Sequence, residues 1–542
     1  MKQRFYRNLA ICSGFALLFM SPVSAPAQQV QRNPIVVHAT NHATTPRAFR
    51  DMTPVPWHNA SKVMPPPRRA PQPHISVEPD ALIQSEVQSE VLPQVRTTSL
   101  LSFDGITAAQ GGGFVPPDTN ASVGATQVVE TVNIAFAVYD KTTGAQIMAP
   151  TNIQTLYAPL LGQCGTGDLT DPVVTYDKAA GRWLITIAAS NRPSFTINEL
   201  CVAVSTSPDA TGTFNLYRFV FGTNLPDYPK LGVWPDAYYV TANNFPGNGN
   251  FTGALTCALD RTAMLAGNAA IAICFQRGIS DASLLPADLD GATPPPPGSP
   301  NYQLELGTST TLNLFKFHVD FAVPANSTFT GPTVITVPAY TNLCATTRMC
   351  IPQPSPGERL DALGERLMHR LAYRNFGTHE ALVANHTIKA MGIGHAVAAV
   401  RWYEIRSPGS VPVVFQRGRV GGGTITVSRW MGSIAMDKNG DIALGFSSSS
   451  STVKPGISYV GRIPSDPLNT MEAAKLIVRG KGVQTASFNR WGDYSSMAID
   501  PSDDCTFWYA QEYYKTTGAF NWATRLASFK FPGCFGGVPA GE

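Results

Sequence analysis

The chain has 542 residues, a formal net charge of +3 and only 14% charged residues, and no basic run or stripe marks a nucleic-acid surface. Its 46 glycines and 44 prolines beside 44% hydrophobic residues suit a turn-dense, β-rich extracellular protein. No segment beyond the N-terminal leader is long and apolar enough to span a membrane.

The first elements are processing signals. Lys2, Arg4 and Arg7 precede an apolar run over residues 9–20, and Ala25-Pro26-Ala27 supplies a cleavage site before Gln28. Residues 1–27 therefore read as a signal peptide, and the mature protein is expected to be secreted or periplasmic. Residues 28–98 are rich in Pro, Gln, Ala and Thr around Met64-Pro-Pro-Pro-Arg-Arg69. They lack apolar periodicity and are expected to be a disordered Pro-rich spacer, either a tether or a leader with no specific role.

The folded body is expected over residues 99–536 as short strands separated by Gly, Pro, Asn and Asp. Successive units hold Pro117-Asp118-Thr119-Asn120, then Asp171-Pro-Val-Val-Thr-Tyr-Asp177, then Asp227-Tyr-Pro-Lys-Leu-Gly-Val-Trp234. An irregular fourth unit carries a proline-heavy loop over 288–300, and a fifth begins near Asp361. The last two, Arg429-Trp-Met-Gly-Ser-Ile-Ala-Met-Asp437 and Arg490-Trp-Gly-Asp-Tyr-Ser-Ser-Met-Ala-Ile-Asp500, are degenerate copies of one pattern starting 61 residues apart. The shared logic is strand, Asp-led turn, strand, because an Asp carboxylate bonds backbone N–H groups in a tight turn. Seven units over about 435 residues, roughly 60 each, predict an all-β, seven-bladed β-propeller. Six or eight blades are the alternatives, and a pair of β-sandwiches is the runner-up fold. The strand at 522–531 is expected to close the ring against strands near residue 101.

Of nine cysteines, Cys12 leaves with the signal and eight remain. Eight allow 105 pairings. In a propeller, sequence neighbours share a blade or adjoin, so the simplest expectation is Cys164 with Cys201, Cys257 with Cys274, Cys344 with Cys350 and Cys505 with Cys534. A zinc site lacks any C-x-x-C pair.

Residues 429–446, 490–505 and 361–373 resemble secreted bacterial proteins of the sialidase-like, multi-bladed propeller kind. The resemblance implies the fold. The repeated Ser-x-Asp-x-Gly-x-x-Trp box of true sialidases is absent, and Asp437-Lys-Asn-Gly440 is only a distant echo. The fold hosts hydrolases, lyases and binding modules alike.

In a propeller the polar residues opening each repeat converge on one axial funnel. Asp118, Asp171, Asp227, His369 and Asp493 are the candidates for acid–base chemistry, and Lys230, Arg366, Arg429 and Arg490 the candidates to clamp a substrate. The competing reading makes these residues a salt-bridge ring that only closes the channel. His379, Glu380 and His386 lack the helical H-E-x-x-H spacing, so no metal and no cofactor is expected. Asp437-x-Asn439-x-Asp441 and Asp500-Pro-Ser-Asp-Asp504 resemble the start of a calcium loop, a structural calcium site being the alternative, and are expected to be solvated turns. Tryptophans occurring about once per blade read as inter-blade core. The expected partner of a monomeric protein is an extracellular glycan or related polymer. It would be cleaved by a glycoside hydrolase or polysaccharide lyase, or bound by a non-catalytic envelope scaffold.

Overall fold

A computed structural model describes residues 29–57, 94–247, 249–344 and 347–535. The expected signal peptide and residues 58–93 of the expected spacer lie outside the described residues. The protein is all-β. Among the described residues, antiparallel runs of strands follow one another as units at 120–152, 168–222, 224–276, 285–336, 371–420, 428–478 and 496–530. An N-terminal strand joins the second and third into one nine-stranded sheet, and a parallel pairing of residues 287–290 with 371–374 joins the fourth and fifth into a ten-stranded one. The seventh takes its fourth strand from the N-terminal side. β3 (Thr98–Thr107) pairs with Trp522–Lys530, as the closing strand was expected to do.

The first strands of the units touch in a closed ring: Asn120–Val123, Asp168–Asp177, Asn224–Val233, Leu285–Asp290, Leu371–Asn375, Ser428–Met436, Ser496–Ile499 and back to the first. Most strands are continuously buried rather than alternating, because each sheet is covered on both faces by its neighbours. The apolar clusters accordingly lie between sheets. Val173, Leu184 and Val202 of the second unit meet Leu231, Val240 and Cys257 of the third, and Trp402 of the fifth meets Ile434 and Phe446 of the sixth. Trp183, Trp402, Trp430 and Trp491 are wholly buried, and the rings of Trp430 and Trp491 stand 5.6 Å apart, so the tryptophans of the Arg-Trp pattern are core.

Part of the expected spacer is ordered. β1 (Val30–Gln31) pairs with the outer strand of the fourth unit. β2 (Ile35–Thr44) then pairs through residues 35–38 with the outer strand of the third unit and through 39–44 with that of the second. Beyond it Phe49 packs on Phe136 and Phe214 of the first two units. The strap was hidden from composition because β2 lies on the rim: its residues alternate between exposed and half-buried, so it is held by ladder hydrogen bonds more than by apolar burial.

Four disulfides join the sequential cysteine pairs: Cys164–Cys201, Cys257–Cys274, Cys344–Cys350 and Cys505–Cys534. No helix among the described residues is long and apolar enough to cross a membrane. Such a set of disulfides fits an oxidising compartment.

Candidate functional site

Six of the seven units place a non-glycine residue with positive φ at or just before the inner strand: Asp118, Asp171, Tyr228, Ser283, Met431 and Asp493. In the second, third and sixth units the same place carries a register shift against the next strand, between Thr170 and Val173, Asp227 and Lys230, and Trp430 and Ser433. Such a bulge re-aims the side chain it carries, and Asp tolerates left-handed backbone better than most residues.

Three of these residues are aspartates of consecutive units, and their charges meet. Both carboxyl oxygens of Asp118 are buried without a hydrogen-bond partner among the described residues, beside the charges of Asp171 and Asp493. Burial, then Asp493, then Asp171 push Asp118 well above the usual carboxylate range. Asp171 also accepts from the backbone N–H of Tyr228 at 3.0 Å and from Thr170 Oγ1 at 2.6 Å. Arg490 donates to Asp493 at 2.6 Å and to Asp361 at 2.9 Å. Lys230 Nζ lies 3.4 Å from the ring centre of Tyr228 and 4.0 Å from that of Tyr494, and donates to the carbonyl of Pro229 at 2.9 Å. Burial pulls its pKa down to about 7 against the pull of Asp171 and Asp118. The Arg366 guanidinium lies 4.4 Å from the ring centre of Tyr228 and donates to Glu365 at 2.8 Å. Burial opposes ionisation of Glu365, yet Arg366 and Arg348 overcome it and bring its pKa down to about 2. His369 Nε2 is 3.0 Å from Asn120 Nδ2. Burial, then Lys230 and Arg370, hold its imidazole well below its usual pKa, so it is neutral at pH 7.

The structure thus brings together Asp118, Asp171, Lys230, Arg366, His369, Arg490 and Asp493. Two expected members are elsewhere. Asp227 is half-buried and sits opposite Asn243 on the next strand, and the axial place belongs to Tyr228. Aligning Asp171-Pro172 with Tyr228-Pro229 would have given the correct phase. Arg429 stands over the Phe446 ring at 5.1 Å and is paired across the sheet with Ser448. It does not correspond to Arg490, because the sixth inner strand already starts at Ser428, whereas the seventh starts only at Ser496 and leaves Arg490 in the preceding loop. Tyr228, Tyr494, Asp361, Glu365 and Glu512 were not among the site residues expected from the sequence. Glu512, which accepts the Gly492 N–H at 2.7 Å, lies on a second strand outside the repeat's opening residues.

The cluster is not an open funnel. Asp118 is 1% exposed, Asp171 6%, Lys230 1% and Asp493 2%. Beyond it the axis narrows to a channel of about 30 Å³. There Arg370 bridges Asp288 at 3.1 Å and Asp290 at 2.6 Å. Where the inner strands end, the axis opens into a cleft of about 560 Å³ whose wall includes Tyr176, Lys178, Trp234, Arg261, Ser502 and Asp504. Burial pulls the Lys178 pKa down to about 8.

The turn acids are not solvated as expected. Asp437 and Asp441 are buried, because Lys438 and Asn439 of the turn donate to the carbonyls of Phe535 and Gly533 on the C-terminal segment that Cys505–Cys534 holds down. The Asp-led turns themselves form as read. Asp177 Oδ1 accepts from Ala180 N, Asp437 Oδ1 from Asn439 N and Asp441 N, and Asp500 Oδ1 from Ser502 N. Asp437 also approaches Cys505 and Cys534, whose sulfurs are tied in the disulfide and offer no thiolate to a metal.

No protein-family model and no curated relative matches the sequence. Among solved structures, the chain is similar to an α-L-arabinanase of Penicillium chrysogenum complexed with arabinobiose, at 9% identity and a TM-score of 0.37, over 81% of this chain and 100% of the other. It is also similar to a GH93 α-L-arabinofuranosidase of Fusarium graminearum, at 8% identity and a TM-score of 0.34, over 80% and 98%. A third similarity is to the WD40 domain of SCAP from fission yeast, at 7% identity and a TM-score of 0.30, over 75% and 82%.

Proposed function

We propose that the seven units are the blades of a secreted, seven-bladed β-propeller of the sialidase-like kind, and that it binds an extracellular carbohydrate without cleaving it. The observation that carries this reading is the bonding of the axial acids. Glycoside hydrolysis needs two carboxyls about 5–5.5 Å or 6.5–9.5 Å apart with the sugar between them. Here Asp361 and Asp493 are both engaged by Arg490, and the two oxygens of Asp171 by Thr170 Oγ1 and the Tyr228 N–H. This is the ring-closing role weighed against catalysis from the sequence. A ligand would sit instead in the cleft at the far end of the axis, whose volume suits a sugar or two. Tyr176, half-buried, offers a ring there, and Lys178, Ser502 and Asp504 offer polar partners for hydroxyls.

The test is calorimetric titration with a panel of oligosaccharides, arabinobiose among them, alongside product analysis. Binding that weakens at least tenfold in Tyr176→Ala and Lys178→Ala, with Asp171→Asn unaffected, is the expected result. Release of shorter sugars by the parent, abolished in a folded Asp118→Asn variant, would establish hydrolysis at the axial acids and overturn the proposal.

A further inference from the structure

A second groove, away from the axis, lies where the hairpin turns of the fifth and sixth units meet the segment that the Cys344–Cys350 disulfide closes. It has a volume of about 620 Å³, within the range of ligand sites. Its wall has a single sign of charge. Arg359, Lys389 and His395 are all exposed, and no carboxylate occurs among the eighteen described residues that line it. The three basic groups come from separate segments. Arg359 precedes the short strand Leu360–Asp361, Lys389 lies opposite Thr341 across a strand pair, and His395 stands in the turn between two long strands of the fifth unit. Between them Thr426, Ser451 and Thr452 supply hydroxyls. Arg359 is oriented by one bond, Nη1 to the carbonyl of Cys350 at 2.8 Å, which leaves the rest of its fork for a ligand.

In and around the axis, by contrast, several arginines are paired with acids. Arg261 bonds Asp177, Arg374 bonds Asp504, and Arg370 bonds Asp288 and Asp290. A groove with cations and hydroxyls but no acid is complementary to an anion that also carries hydroxyls. We infer that this groove is a binding site for an acidic polysaccharide, its carboxylate or sulfate groups taken by Arg359 and Lys389 and its hydroxyls by the serine and threonine side chains. The site is distinct from the axial cleft and stands whether or not that cleft binds sugar. A nucleic acid fits less well, because no exposed aromatic side chain lines the groove to stack on a base.

Affinity electrophoresis of the full chain through gels carrying polygalacturonate, dextran sulfate, neutral dextran or single-stranded DNA tests the assignment. Retardation is expected in polygalacturonate or dextran sulfate, and the polymer that resists more salt identifies the acid group preferred. It is expected to weaken as salt rises, since exposed charges are screened beyond about 8–10 Å at physiological ionic strength. Lys389→Glu is expected to weaken retardation at least fivefold, and Lys389→Glu with Arg359→Glu at least twentyfold. The single variant leaves the Arg359 bond to Cys350 intact, so its effect does not depend on the disulfide segment. Equal retardation by neutral dextran or by DNA, no retardation by either acidic polymer, or unchanged retardation of a Lys389→Glu protein with the parent's circular dichroism and melting would each overturn the inference.

Discussion

Buried carboxyls in this protein differ in what replaces the water they lose. Asp493 and Asp361 have a guanidinium, whereas Asp437 and Asp441 have chiefly each other. Burial and then the Asp441 carboxyl push Asp437 up to about 8, and burial raises Asp441 to about 6. A carboxyl whose folded pKa exceeds its unfolded value, 3.8 here, contributes stability below that value and loses it as pH rises through the folded pKa. The window therefore runs from about pH 4 to pH 8, with the protein less stable at its alkaline end. Asp437→Asn keeps an oxygen for the N–H groups of Asn439 and Asp441 and removes the charge. It is expected to match the parent near pH 4 and to be more stable at pH 8 by about 1–3 kcal/mol, the range for relieving a buried unsatisfied polar group. Urea unfolding at the two values measures this, and equal stability at pH 8 contradicts it. The opposite case is Arg490→Ala, which strands two buried carboxylates. It is expected to cost about 3–5 kcal/mol, read in the same titration. The sequence showed these acids but not their partners. Asp437 in an Asp-x-Asn-Gly turn looks like any exposed turn residue, and only the chain end folding over it makes it buried.

At the scale of elements, the strands and their Asp-led turns were legible because their signals are local: β-branched runs, a Gly or Asp stop, and a return strand. The strap was not, because it is defined by edges that belong to other units. β2 pairs with the outer strand Phe214–Gly222 of the second unit and with Ile271–Gln276 of the third, so one segment covers two sheet edges at once. Uncovered edges offer unpaired N–H and C=O groups to other chains. Removing residues 29–45 is expected to leave these two edges open beside Ile271, Ile273 and Phe219, with the edge of the fourth unit that Val30–Gln31 covers, and to turn a monodisperse protein into a concentration-dependent oligomer or aggregate. Light scattering across a dilution series reads this out, and a truncated protein that stays monodisperse at high concentration refutes a covering role. The same reasoning explains the phase error at Asp227. Asp227 was chosen because it opens its unit, but the bulge between Asp227 and Lys230 gives the axial place to the next residue, Tyr228.

The whole molecule is a ring, and a ring made from one chain has a seam. Its closing unit joins β3 to strands more than 400 residues later, so no sheet is continuous between the chain's start and end without it. Two devices hold the ring at different places. The strap runs along the outer edges of the second to fourth units, and the Cys505–Cys534 disulfide ties the two ends of the seventh unit's hairpin region. Between the seventh and first units, Lys141 bonds Asp500 at 2.9 Å, and Ser496 Oγ accepts from Ala121 N at 2.7 Å. A disulfide closing 29 residues is worth about 3–4 kcal/mol in the chain-entropy account. The variant carrying Cys505→Ser and Cys534→Ser is expected to lose about that much, and to lose it unevenly. Hydrogen exchange should speed up first in β3, Thr506–Tyr514 and Trp522–Lys530, while the outer strands of the second and third units under the strap keep their protection. Uniform loss of protection across all units would mean that the ring opens as one cooperative body, with the disulfide stabilising it everywhere equally rather than at its seam.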